Sequence, residues 1–127
     1  MATRSRSRIG IEHEDGTVRS IYCHWDGYPS HQLPILQEHY TDRKKVEELI
    51  QLGDISYLAP LVEIPEGSDH SFDSRDYEIV CAYHRDRGEA YSKPMVNYNA
   101  DAYFRSDIGQ YGYLFTQEGK WIYQSGN

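Results

Sequence analysis

Ten consecutive residues, Ser20-Ile-Tyr-Cys-His-Trp-Asp-Gly-Tyr-Pro29, bring together a thiol, an imidazole, an indole, a carboxylate and two phenols. A strand that only fills a core does not need so many reactive groups. On an extended chain His24 and Asp26 share a face, whereas the neighbours Cys23 and His24 point to opposite sides. Chelation by Cys23 with His24 would therefore require a bend, whereas His31 or His84 could join His24 and Asp26. Zinc takes three or four ligands, often in close pairs, and the chain has no CxxC, no HExxH and no histidine pair at helical spacing. No metal and no cofactor is expected.

A second cluster is His84-Arg85-Asp86. It matches the kinase catalytic triplet in letters alone, since a Gly-rich phosphate loop and an Asp-Phe-Gly are both missing. Acid–base chemistry is what these types still allow. His24, Asp26, His84 and Asp86 would serve a small hydrolase or nuclease if the fold brought them together. The plainer alternative is structural. His24 and Asp26 would bond each other or the following turn, while Arg85, Asp86, Arg87 and Glu89 would knit a charged turn.

Binding is the competing function class. Twelve tyrosines in 127 residues are the compositional outlier, and Tyr suits half-buried sheet faces and interfaces. Trp25, Tyr28, Trp121 and Tyr123 are candidate contact residues. Arg85 and Arg87 could meet the phosphate of a nucleotide-like ligand whose base stacks on the aromatics. Both indoles could equally be core. The net charge of -7 argues against duplex DNA as the partner, because phosphate binding needs clustered Lys and Arg. The acids are concentrated at Glu63, Glu66, Asp69, Asp73, Asp76 and Glu78, with Arg75 the single cation among them. That is too sparse to imitate a phosphate backbone and reads as a solvated loop.

The elements that must position these groups follow from periodicity. Residues 8–13 and 17–25 alternate on either side of Asp15-Gly16, a two-residue hairpin signal. That register sets Glu12 opposite Arg19 and Ile9 opposite Tyr22. It places His24 with Ile9 and Ile11, and Cys23 and Trp25 on the other face. Gly27-Tyr28-Pro29 breaks the strand. Residues 33–40 read as a short helix, and Thr41 or Asp42 caps a second that carries Val46, Leu49 and Ile50 and stops at Gly53. Residues 54–76 read as a long acidic loop. Strands follow at 77–83 and 91–98, with a charged turn at 84–89 between them. Residues 99–108 are weakly helical, and 111–116 with 120–123 form a terminal hairpin.

The expected architecture is one α+β domain over residues 1–127. A mainly antiparallel sheet is built from two hairpins and a middle strand, with two helices packed on it. Residues 1–7, with Arg4 and Arg6, are expected to be a frayed basic tail. His24, Asp26 and His84 should meet on adjacent strands. The exposed edge at 120–123 makes a homodimer the expected way to cover it. Two lone cysteines make no disulfide framework, and no apolar run is long enough to span a membrane. An intracellular protein follows as the expectation.

Three segments also carry a family resemblance. They are Arg8-Ile-Gly-Ile-Glu12 with Asp15-Gly16 and the Ser20–Pro29 run; His39-Tyr40 with Val46-Glu-Glu-Leu-Ile50 and Leu52-Gly-Asp-Ile-Ser56; and Ala82-Tyr-His-Arg-Asp-Arg-Gly-Glu89 with Tyr113-Leu-Phe115 and Gly119-Lys-Trp121. In these the chain resembles a family of small accessory proteins encoded by tailed bacteriophages. The resemblance implies a phage protein made in the host cytoplasm and brings no activity with it. The leading expectation is a non-enzymatic protein that binds a host factor, by analogy one that antagonises a defence system. The alternatives are the His/Asp hydrolase or nuclease, and a binder that sequesters a nucleotide-like signal.

Overall fold

A computed structural model describes residues 4–126. Its first hairpin pairs β1 (Ser7–Glu12) with β2 (Val18–Cys23), with Ile9 opposite Ile21 and Glu12 opposite Val18. This is one residue away from the expected register. The cause is the loop, which holds three residues between a paired His13 and Thr17: His13 N donates to Thr17 O at 2.8 Å, and Gly16 takes φ 89°. A glycine in the left-handed region closes such a three-residue turn, which a two-residue reading misses. A slip of one changes every cross-strand partner. The Glu12–Arg19 and Ile9–Tyr22 pairs therefore do not form, and Ile21 and Cys23 lie on the Ile9/Ile11 face. Arg19 instead donates to His13 Nε2 at 2.9 Å.

Helices α1 (Pro29–His39) and α2 (Arg43–Gln51) follow, and then β3 (Ile55–Tyr57). Proline begins α1, where a missing N–H costs nothing. The Asp42 side chain caps α2 by accepting from Lys44 N. The two helices form a crossover, because β3 pairs parallel to β2 at Cys23–Ile55 and parallel neighbours need a long connection. The next elements are β4 (Cys81–Ala82), α3 (Tyr83–Arg87), β5 (Met95–Asn97) and α4 (Ala100–Arg105). The terminal hairpin is β6 (Tyr111–Phe115) with β7 (Trp121–Ser125).

The strand order is β4-β3-β2-β1-β6-β7, with β5 also paired to β2. The class is α+β, but the sheet is mixed rather than mainly antiparallel. The second hairpin docks through a parallel β1–β6 pairing, and four helices replace the two expected. The strand read at 77–83 shrinks to two residues because Tyr83 already opens α3, the expected charged turn, which Gly88 ends at φ 76°. The strand read at 91–98 shrinks to β5.

Helices α1 and α2 cover one face of the sheet. Leu36, Tyr40, Val46, Leu49 and Ile50 pack there in a core with Ile9, Ile11, Ile21, Cys23, Tyr113 and Phe115. The opposite face carries a smaller cluster in which Tyr103 of α4 meets Val18, Ile108 and Leu114. Gly10 makes room for it, since a Cβ there would stand 3.1 Å from Tyr103 Cζ.

Of the tail expected over 1–7, residues 1–3 lie outside the described residues. Arg4 is exposed, but residues 5–7 are tied down: Ser5 O accepts from Gly27 N at 2.6 Å, Arg6 O from Gln110 N at 2.8 Å, and Ser7 is fully buried. The expected acidic loop starts later than residue 54, because β3 is buried in the sheet. Among the described residues no helix is long and apolar enough to cross a membrane.

Candidate functional site

The site grows from the end of β2. Beyond Cys23 the chain bends but stays bonded to β3, as His24 N donates to Ile55 O at 3.2 Å and Trp25 N to Ser56 O at 2.9 Å. Asp26 then turns the chain with φ 58°, the only non-glycine residue with positive φ among those described. Asp tolerates this conformation better than most residues, though still at some cost. Gly27 follows where a side chain would not fit, because its Cβ would overlap the Ser5 carbonyl oxygen. This turn presents His24, Trp25 and Asp26 to a cavity of about 540 Å³. His31 and Ile35 of α1 line the same space.

The facing wall comes from the irregular chain after β3. Tyr57, Leu58, Ala59 and Pro60 contribute one side, and Phe72, Arg75, Tyr77, Tyr83 and Arg87 the other. Phe72 organises the cations. The Arg75 guanidinium lies 4.4 Å from its ring centre and the Arg87 guanidinium 4.6 Å. Arg75 Nε donates to Phe72 O at 2.8 Å, and Arg87 Nε meets Glu89 at 3.3 Å. Neither arginine's η nitrogens bond a described residue. Two guanidinium forks are thus oriented by stacking, with donors to spare beside an aromatic cavity. His24 is oriented too, with Nδ1 2.8 Å from Tyr22 Oη and its ring edge-on to Trp25 at 4.8 Å.

A buried polar network anchors this wall. The Asp86 side chain is 1% exposed and accepts from Ala82 N at 2.8 Å and from Arg85 Nε at 2.8 Å. Arg85 also donates to Val62 O and Val80 O. Asp86 O accepts from Phe72 N at 3.1 Å, which seats the ring that carries both cations. Burial opposes ionisation of Asp86, but the bonds from Arg85 and Ala82 N–H outweigh it and hold the carboxyl below its usual range.

His70, Cys81 and Asp86 offer ligand atoms within 4.8 Å of one another. Their hydrogen bonds argue for a structural role. His70 Nδ1 accepts from Asp76 N at 2.9 Å, so the proton of the neutral ring sits on Nε2, 3.5 Å from Asp86 Oδ2. A metal at Nε2 would move that proton to Nδ1, against the Asp76 N–H. Burial, and then the nearby Asp86 charge, push the Cys81 thiol up to about 11, so its thiolate is disfavoured as well.

The residues singled out by sequence divide accordingly. His24, Trp25, Asp26 and Arg87 line one cavity. His84 does not join them. Its Nδ1 lies 2.7 Å from Glu89 O and its ring rests on Tyr91, because residue 84 belongs to a helix and not to a strand. Asp86 and Arg85 are consumed by the anchor. Tyr28 packs its ring against His31 at 5.5 Å. Trp121 donates to Tyr40 O at 2.9 Å and stacks near Phe115, and Tyr123 lies against Tyr113, both on β7. Sequence reasoning missed Tyr57, Phe72, Arg75, Tyr77 and Tyr83. The one available signal was Phe72-x-x-Arg75, an aromatic and a lone cation inside an acidic run.

Compared with known proteins, the chain matches no family model, no curated protein and no solved structure.

Proposed function

We propose that this protein binds a small anionic ligand with a planar ring, of the nucleotide class, in the aromatic cavity. The observation that carries this reading is the pair of arginines on Phe72, whose η nitrogens hydrogen-bond no described residue, Arg87 being paired with Glu89 through Nε. Trp25, Tyr57, Tyr77 and Tyr83 offer ring faces or edges around the same space. A cavity of about 540 Å³ falls in the range that encloses most of a small organic ligand. Binding is favoured over turnover because only His24 and Asp26 of the four acid–base candidates reach the cavity. The resemblance to tailed-phage accessory proteins supplies the setting. In a host cytoplasm, a protein that sequesters a nucleotide-like signal would blunt the response that signal triggers.

Titration calorimetry with AMP, GMP, ADP and inorganic phosphate tests the reading, with Trp25 fluorescence as a second readout. Saturable binding of at least one nucleotide is expected, with phosphate alone much weaker. Arg75→Ala and Arg87→Ala should each weaken it by roughly 10- to 100-fold, the value of a charge-assisted hydrogen bond. No binding by any nucleotide, or binding indifferent to both substitutions, would overturn the reading.

A further inference from the structure

Strand β7 ends the sheet order, and no described strand lies beyond it. Two bonds to the β6 side fix which of its backbone groups are used. Lys120 O accepts from Thr116 N at 2.8 Å, and Gly126 N donates to Gln110 O at 2.7 Å. Antiparallel ladders alternate residue by residue. Residues 120, 122, 124 and 126 therefore face β6, while Trp121, Tyr123 and Ser125 direct their N–H and C=O groups outward.

Protein edges are normally guarded by a charge, a proline, a bulge or shortness. The other end of the sheet, β4, is only two residues long and runs straight into α3. β7 lacks these guards from Trp121 to Ser125, with Lys120 standing just before it. Trp121-Ile-Tyr-Gln-Ser125 contains no charged residue and no proline, in a chain that is 26% charged. Its register with β6 runs without a break from Trp121 to Ser125. Ile122 is 44% exposed and Tyr123 43%.

We propose that β7 pairs antiparallel with β7 of a second copy of this chain, about a twofold axis at Tyr123. For a second copy, the backbone alternation limits the axis to a residue position, and use of all three outward residues places it at Tyr123. Outward-facing residues must meet outward-facing residues. An axis at Tyr123 sets Trp121 opposite the second copy's Ser125 and Tyr123 opposite its counterpart, so every outward donor and acceptor is used. An axis between two residues would set outward groups against inward ones and form no ladder. The strand is thus its own complement, as a twofold interface requires, and two negatively charged bodies meet along an uncharged strip. This pairing does not depend on what the cavity binds.

Sedimentation equilibrium of the full chain, from about 1 µM to about 500 µM, tests it by mass action. A species of twice the 14.8 kDa chain mass is expected as concentration rises. Tyr123→Pro removes an outward N–H without touching a bond to β6. Tyr123→Lys puts two ammonium groups directly opposite each other across the axis. Either substitution should weaken self-association at least tenfold while circular dichroism shows a folded chain. A wild-type mass of 14.8 kDa at every concentration, or a dimer that persists in a folded variant of either kind, would overturn the proposal.

Discussion

Replacing Asp86 with asparagine keeps the side chain's shape and removes its charge. The carboxylate is 1% exposed and accepts from Ala82 N and from two nitrogens of Arg85. An amide cannot satisfy all three donors, because its NH2 group must face one of them. Breaking a fully buried pair costs about 3–5 kcal/mol. Arg85 is 25% exposed and keeps Val62 O and Val80 O as partners, so solvent recovers part of that loss and about 2–4 kcal/mol is expected. With a urea slope of about 1.5 kcal/mol per molar, the unfolding midpoint should fall by about 1.5–2.5 M at neutral pH.

The pH dependence supplies an independent check. The folded carboxyl lies below its ordinary value, held there by Arg85 and Ala82 N–H against the opposing effect of burial. Its contribution is therefore complete above the ordinary Asp range and is lost as pH falls through the folded value. The stability gap between wild type and Asp86→Asn should be full at neutral pH and close on acidification. Urea melts followed by circular dichroism at a series of pH values measure this. A gap under about 0.5 kcal/mol at neutral pH, well below the usual cost of breaking a buried pair, would refute the reasoning. So would a gap that does not shrink in acid.

Two further outcomes test other parts of the molecule. Gly27→Ala should destabilise by about 1–3 kcal/mol, because its Cβ would overlap the Ser5 carbonyl oxygen and stand 2.7 Å from Ser7 Cβ. Calorimetry would show this as a lowered Tm, and an unchanged Tm would mean that Ser5 and Ser7 are not held against the Asp26 turn. Burial pushes the Cys23 thiol up to about 12 and the Cys81 thiol to about 11. Both should therefore resist Ellman's reagent near about pH 8 in the native protein and react on unfolding. Prompt native release would show that one of them is reached by solvent.

Local elements were legible in the sequence because their signals are local. The Asp42 cap, the Val46/Leu49/Ile50 stripe and the Gly53 stop mark α2 within a residue or two. The terminal hairpin was legible for the same reason. Pairings between distant segments were not. The β1–β6 and β2–β3 contacts are parallel, and no turn residue encodes which strands lie side by side after a crossover. The hairpin register failed on a single residue, since Asp15-Gly16 fits a two-residue turn as well as the end of a three-residue one. Half of the site was legible because His24, Trp25 and Asp26 are consecutive. The other half comes from residues 57–60, 72–77 and 83–87, which carry no shared period. His84 was misplaced because its short helix was read as a turn at the end of a strand. Asp86 and Arg85 read from the sequence as acid–base and phosphate-binding candidates, and the fold instead bonds them to each other and to backbone groups.

On the proposed reading, an acidic chain holds an anion because of where its charges sit. Glu63, Glu66, Asp73 and Glu78 are exposed, and at physiological salt an exposed charge is largely screened beyond about 8 Å. Arg75 is half-buried against Phe72 at the cavity wall, where fewer water molecules compete for its donors, while Arg87 lies over the same ring, 53% exposed and paired with Glu89. The rest of the cavity lining includes His24 and His31, and Asp26 is the only carboxylate among the described lining residues. On this reading the net charge acts within the screening distance, where a polyanion such as duplex DNA would lie against many of the exposed acids at once. The local field governs what stays once inside. A small ligand with one or two negative groups pays little of that repulsion and gains most of the local attraction. On the proposed reading, an acidic body with a two-arginine cavity would select against long phosphate chains and for small anions with a ring to stack.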